Sequence, residues 1–366
     1  MLPHYFNPVK IIKTSNWLLE LENGLKSLGI KQPVIITTNG NNERLELEKK
    51  LNKNNIFTSF SNNPNFNDCS NAIKFCEKKT FDGVVAIGGG SAMDLAKVFI
   101  AYLSSLESNL KKLINDEINF ITRIPSIFIP TTHGTASEVT MWGTIWDMEG
   151  KKKYSISNVN LYPDISILDG NLTLTLPMDL SIITTMDALS HSFESIWNKN
   201  SNGKSTSYAV DSICSIIRNV EKLKKTPSDL RIRNELLLAS NKAGLAFSNT
   251  KTAAAHSISY PLTINYGIPH GIASSLSLEP LLNINAPLIG KEIDLICKNL
   301  DFSLKDLKEK IKNIPDQILP FKLNLWGVKR GHIKKLVKES FTKGRMDNNI
   351  VTLNYNDVYQ ILKSIY

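Results

Sequence analysis

Short β-branched runs, separated by stretches of helix length, organise the first half of the chain. Val34-Ile35-Ile36-Thr37-Thr38 reads as a buried strand closed by Asn39-Gly40. Residues 84–87, 127–129 and 165–168 repeat the pattern, with helical stretches over 43–52 and 92–106 between them. Strands alternating with helices predict parallel βαβ units. From Pro177 the strand signal stops. Pro177-Met178-Asp179 reads as a helix start, and helical periodicity follows over 181–197, 205–224, 228–248, 272–282, 305–313 and 332–342. The pattern predicts an α/β nucleotide-type domain over 1–176 and an all-helical domain over 177–366, with a cleft between them.

Composition narrows the class. A chain of 366 residues with 42% apolar and 21% charged residues is ordinary globular protein, neither disordered nor collagen-like. Cys69, Cys76, Cys214 and Cys297 form no CxxC pair, which excludes a zinc ribbon and a thioredoxin motif and suits reduced thiols in the cytoplasm. Residues 1–13 hold no long apolar run, and no membrane-length apolar run occurs elsewhere. The net charge of +9 is spread out, its densest cluster being Lys151-Lys152-Lys153. A nucleic-acid partner would want a basic stripe with aromatics. Spread lysines fit background composition, and a positive surface can also help draw in a small anionic substrate.

Two loops carry candidate chemistry in the first half. Gly88-Gly89-Gly90-Ser91-Ala92-Met93-Asp94 lies between a strand and a helix, where glycines permit a sharp turn and close backbone approach. Ser91 reads as the N-cap, with Asp94 as its capping-box partner. The exposed N–H groups and the helix dipole favour an anion such as pyrophosphate, although a plain tight turn has the same composition. Pro130-Thr131-Thr132-His133-Gly134-Thr135 crowds hydroxyls directly after another strand. Two such loops at strand ends in one α/β half point to a nucleotide site.

The second half carries the metal-type residues. Asp187 and His191 stand four apart on one helical face. His256 ends the alanine-rich stretch 252–255, and His270 sits between Pro269 and Gly271. One carboxylate and three imidazoles suit Fe²⁺ or Zn²⁺ with an open position. Taken singly, His256 also fits a satisfied core histidine and His270 a loop hydrogen-bonder. His4 and His332 read as surface or structural residues.

Taken together, residues 88–97 (GGGSAMDLAK), 130–140 (PTTHGTASEVT), 186–194 (MDALSHSFE) and 255–273 (AHSISYPLTINYGIPHGIA) resemble the iron-containing alcohol dehydrogenase family, in the family's order. The resemblance implies a Rossmann-like N-terminal domain and a helical C-terminal domain, the dehydroquinate synthase-like fold. It also implies a homodimer interconverting alcohol and aldehyde with NAD(P) and a divalent metal in the cleft. The family's metal ligands fall on Asp187, His191, His256 and His270. Its pyrophosphate loop falls on Gly88, Gly89, Gly90 and Ser91 with Asp94 beside it. Its nicotinamide-side threonines fall on Thr131, Thr132 and Thr135, and a lysine near the ribose on Lys153. The adenosine-ribose position falls on Asn39, which unlike a carboxylate does not repel a 2′-phosphate, so NADPH as well as NADH is permitted.

Many family members carry a histidine four residues after the third ligand, and here that position is Tyr260. With Thr144-Ile145-Trp146-Asp147 and Trp197-Asn198-Lys199-Asn200, the segment resembles the phosphonoacetaldehyde reductase branch, which makes 2-hydroxyethylphosphonate in phosphonate biosynthesis. Two roles are open to Tyr260, proton donor or pocket wall. Lys199, two turns beyond His191 if the helix persists, and Lys251, five residues before His256, are the candidate cations for the phosphonate. The same architecture also serves broad-specificity dehydrogenases of small uncharged alcohols and cyclases of the dehydroquinate synthase kind.

Overall fold

The computed structural model describes residues 5–77, 79–114, 118–147, 149–150 and 152–366; His4 and Lys151 lie outside them. The chain divides into two compact units, one of residues 8–132 and 136–172 and the other of residues 5–7, 133–135 and 173–366. The main junction falls at Thr173, a few residues before the position read from the sequence.

The first unit is built on a parallel six-stranded sheet. Its strands are β1 (Lys10–Lys13), β2 (Pro33–Thr37), β3 (Ile56–Phe57), β4 (Gly83–Gly88), β5 (Ser126–Pro130) and β8 (Ile165–Leu168), in the order β1-β8-β5-β4-β2-β3. In the chain between β5 and β8, β6 (Trp142–Asp147) and β7 (Lys152–Ser157) form a separate antiparallel pair in which Trp146 faces Lys153. The central strands are buried on both faces. Val84, Ala86, Ile36 and Phe128 enter one core, while Val85, Ile87, Ile35 and Ile129 enter the other. That is why they read as unbroken apolar runs rather than alternating ones.

Chain order reverses between β2 and β4: β3 lies outside β2, while β5 continues beyond β4. This switch point is where open α/β sheets bind ligands, at the carboxyl ends of their strands. Three of the strand ends there carry the sequence-derived candidates: Asn39 after β2, the glycines at the end of β4 and the threonines after β5.

Two local expectations are corrected here. Asn39-Gly40 does not merely close a strand but opens the helix Asn39–Arg44, because the Thr38 hydroxyl caps it by accepting from Asn41 N. Ser91 is not an N-cap. The helix Gly90–Ser105 starts two residues earlier, capped at Gly89 without a side-chain bond, and Asp94 turns away to Ser137.

The second unit is helical around one core. Its principal helices are Met178–Ile196, Gly203–Lys225, Leu230–Thr250, Ala254–Tyr266, His270–Ser275 and Leu278–Asn285. The periodic stretch read over 272–282 is thus two helices, interrupted at Ser277. Among the described residues no helix is long and apolar enough to cross a membrane.

Residues 133–135 belong to this unit through His133. The ring is buried, with Nδ1 3.1 Å from Thr185 Oγ1 and Nε2 3.4 Å from Nη1 of the buried Arg233. A guanidinium only donates, so Nε2 accepts and the ring is neutral. Burial and then Arg233 hold its pKa down at about 3. The unfolded chain takes up this proton near pH 6.5 and the folded chain does not, so stability falls as pH drops from there towards 3. By pH 5 the loss from this one group is about 2 kcal/mol. We expect His133→Gln to show a correspondingly shallower fall in urea-unfolding free energy between pH 7.5 and 5. Parallel curves for the two proteins would contradict this.

Candidate active site

The helix Met178–Ile196 carries Asp187, His191 and Glu194 at spacings of four and three, which puts all three on one face. All are buried. His256 stands in the first turn of the helix Ala254–Tyr266, not at the end of a helix as the sequence suggests. The continuation past it was hidden by Pro261, which this helix accommodates in its interior. His270 opens the helix His270–Ser275 rather than a loop.

Packing brings three of these side chains to one point. Single ligand atoms of Asp187, His256 and His270 all lie within 4.8 Å of one another. His256 Nε2 is 3.6 Å from Asp187 Oδ1, too long for a hydrogen bond, and it has no hydrogen-bond partner although it is buried. The rings of His256 and His270 meet edge to face at 5.2 Å. His191 is not in the three-atom group. Its ring stacks on His256 at 4.6 Å and on Phe247 at 4.1 Å, so it flanks the cluster.

Glu194 lies within the motif over 186–194, but the sequence alone assigns it no task. Its Oε2 accepts from His256 Nδ1 at 2.5 Å and its Oε1 accepts from His256 N at 3.0 Å. With a proton fixed on Nδ1, Nε2 is the ring atom left facing Asp187. This carboxylate–imidazole pairing is what orients metal-binding histidines generally. The periodic carboxylate–His–carboxylate stripe along one helix was the signal that could have revealed it.

The electrostatics agree. Burial opposes ionisation of Asp187, yet His191, His256 and His270 hold its carboxyl well below the usual carboxylate range. Burial likewise opposes ionisation of Glu194, and His256 overcomes it. His256 in turn is resisted by burial but held up at about 10 by Glu194 and Asp187, so a bound cation would displace the proton on Nε2. Two buried carboxylates whose charged neighbours are imidazoles form a site of the right charge for a divalent cation. The unpartnered Nε2 of His256 supplies a ready donor, so the residues fit such an ion.

The remaining candidates separate clearly. Tyr260, one helical turn after His256, stacks parallel to His270 at 6.3 Å, and its hydroxyl accepts from Arg345 Nε at 3.3 Å. Lys199 is not on the His191 face, because the helix ends at Ile196. It is exposed, with Nζ donating to the Asp347 carbonyl. Lys251 is exposed at positive φ just past the helix Leu230–Thr250. His332 is paired with the Tyr266 hydroxyl at 2.7 Å, away from the cluster.

In the sheet unit the glycine turn is sterically tight. A Cβ on Gly88 would lie 2.6 Å from Ala92 Cβ, and one on Gly89 3.1 Å from the Thr132 hydroxyl and methyl. Thr131 N donates to Gly88 O, and the Thr131 hydroxyl accepts from Asn41 Nδ2 at 3.2 Å. The Ser91 hydroxyl donates to Asn62 O. Asn39 is exposed. Lys153 reaches over the Trp146 ring, its Nζ 5.2 Å from the centroid. Thr135 falls in the helical unit.

Sequence reading missed Lys97. It is fully buried, and its Nζ donates to Ser137 O, Ser137 Oγ, Thr140 Oγ1 and Trp142 O. Burial pushes it down to about 8 against the opposing pull of Asp94 and Glu138. Together with the Asp94–Ser137 bond, at 2.8 Å, it locks the phosphate-type helix to the chain after β5.

The chain belongs to the iron-containing alcohol dehydrogenase family. Residues 8–170 match iron-containing alcohol dehydrogenase, and residues 181–366 match the C-terminal part of the Fe-containing alcohol dehydrogenase family. Among relatives, the sulfoacetaldehyde reductase of Bilophila wadsworthia is 28% identical over 275 residues, covering 74% of this chain and 67% of that one. The 1,3-propanediol dehydrogenase of Citrobacter freundii is 30% identical over 230 residues, covering 63% and 59%. Three further alcohol dehydrogenase relatives are matched over only 56% of their own length. Among solved structures, sulfoacetaldehyde reductase from Bifidobacterium kashiwanohense in complex with NAD+ superposes with a TM-score of 0.87 at 27% identity, over 100% of this chain and 99% of that one.

Proposed function

We propose that this protein reduces a small anionic aldehyde to its primary alcohol with NADH or NADPH and a divalent metal, phosphonoacetaldehyde to 2-hydroxyethylphosphonate being the reading favoured by its motifs. One observation carries the metal chemistry: His256, braced by Glu194, directs an unpartnered Nε2 towards Asp187 and His270. Asp187, His256 and His270 would hold the ion, with His191 beside them. Gly88, Gly89, Gly90, Ser91, Thr131 and Thr132, at the switch point of the sheet, would hold the nucleotide, its phosphates facing the N-terminus of the helix Gly90–Ser105. Asn39 places no carboxylate against a 2′-phosphate.

When bound, the metal supplies Lewis-acid polarisation of a carbonyl and the reduced nicotinamide supplies hydride. The chain's own residues do the rest. Glu194 fixes the His256 tautomer. Tyr260, beside His270, would give the proton that the reduced oxygen needs. Tyr260→Phe is therefore expected to lower kcat on the order of 10²-fold with little change in KM. Unchanged turnover would leave Tyr260 as pocket wall only.

The acidic-aldehyde reading is supported by the named activity of the sulfoacetaldehyde reductase relatives. A second reading, an uncharged small alcohol, is favoured by the 1,3-propanediol dehydrogenase relative. Anaerobic turnover of the Fe²⁺-loaded protein separates them. We expect a kcat/KM for phosphonoacetaldehyde at least about tenfold above that for acetaldehyde or lactaldehyde, a difference of about 1.4 kcal/mol. Preference for the uncharged aldehydes would select the second reading.

A further inference from the structure

We propose that Arg345 is the specificity-determining residue of this site, binding the tetrahedral oxyanion, phosphonate or sulfonate, of a short aldehyde. The inference rests on the aldehyde-reductase reading above and names the group that recognises the substrate's charge.

Arg345 is half-buried on the segment that follows the helix Ile333–Glu339. Its Nε donates to Tyr260 Oη at 3.3 Å and its Nη1 to Gly344 O at 2.8 Å. Both acceptors are uncharged. Among the described residues no carboxylate pairs with this guanidinium, unlike Arg123 with Asp164 or Arg231 with Asp229. A half-buried arginine with spare N–H donors and no anion beside it is suited to a bidentate oxyanion. It stands one side chain, Tyr260, away from His270. A two-carbon substrate needs its cation at about that remove, because only a short carbon linker separates its carbonyl from its oxyanion.

The segment is held where it is. Thr342 N donates to Ser257 Oγ, which donates to Ser340 O at 2.5 Å, one residue after His256 in sequence. Asn348 Nδ2 donates to Thr252 O and Gly344 O, each at 2.9 Å. Lys199 closes the arrangement from the other side: its N donates to Asn348 O at 2.8 Å and its Nζ to Asp347 O at 2.9 Å. The lysine read from sequence as a substrate cation thus braces the segment that presents the arginine.

The test compares wild type, Arg345→Gln and Arg345→Lys, each loaded with Fe²⁺ under anaerobic conditions and checked for folding by thermal melting. The aldehydes are phosphonoacetaldehyde, sulfoacetaldehyde and propionaldehyde. Binding of the unreactive ethylphosphonate and ethanesulfonate is measured by calorimetry. Arg345→Gln should lower kcat/KM for the preferred anionic aldehyde about a hundredfold, mainly through KM, and weaken the matching unreactive anion similarly. Propionaldehyde should stay within about threefold, and Arg345→Lys should recover part of the loss because it restores the charge without the fork. The relative loss on the two anions tells phosphonate from sulfonate. An equal loss on all three aldehydes would reduce Arg345 to a support for Tyr260 and overturn the proposal, as would retention of the anion preference in Arg345→Gln. A wild type that binds neither anion, yet reduces propionaldehyde, would instead overturn the acidic-substrate reading and this assignment with it. Failure to reduce any aldehyde while ethylphosphonate binding still depends on Arg345 would fault the reductase reading and leave the anion site standing.

Discussion

His256→Ala should abolish tight divalent-metal binding and, with it, aldehyde reduction, while Glu194→Gln should weaken metal affinity on the order of 10- to 100-fold without touching a ligand. The two variants act on one imidazole from opposite sides. His256→Ala removes the buried Nε2 donor facing Asp187. Glu194→Gln keeps that donor but replaces the carboxylate that accepts from Nδ1 at 2.5 Å and from the backbone N at 3.0 Å. The Gln carbonyl can still accept one of these bonds, so the ring keeps a partner but loses charge support. Metal content after dialysis against a graded chelator series reads the effect directly. Equal metal retention in wild type and Glu194→Gln would show that the carboxylate does not tune the site.

The second large effect is expected at a glycine. A Cβ on Gly271 would press into the Ile183 carbonyl oxygen and lie 3.0 Å from Asp187 Cβ. The obstacle is helix backbone and cannot rotate away, so the helices His270–Ser275 and Met178–Ile196 must separate. Overpacking of this kind costs about 1–3 kcal/mol, and here it also parts His270 from Asp187. Gly271→Ala should therefore lower the urea midpoint and lose metal affinity together. A variant with native stability and native metal content would mean that the close approach is not required for the site.

Much of this was legible in the chain. The buried strands announced themselves because both faces of the sheet are covered, leaving β4 and β5 as plain apolar runs. Asp187 and His191 were visible as a pair because helical spacing is local. Other features depend on contacts far apart in sequence. The short edge strand β1 has only Ile11 and Ile12 between lysines, and it exists because β8 pairs with it. Glu194 acquires a role only when His256, 62 residues away, folds against it. Arg345 sits in a basic loop without periodicity, and its meaning depends on Tyr260, 85 residues earlier. Lys199 was misplaced for a local reason: the helix stops at Ile196, so counting two turns forward left the element.

The measurement that tests the central claim most directly follows metal and nicotinamide in one anaerobic sample. Metal-stripped protein is titrated with Fe²⁺ while phosphonoacetaldehyde-dependent loss of nicotinamide absorbance is recorded. The account predicts that activity rises in step with bound iron and saturates at one ion per chain, with one nicotinamide oxidised per alcohol formed. Activity indifferent to stripping, or product formed without net nicotinamide consumption, would contradict it.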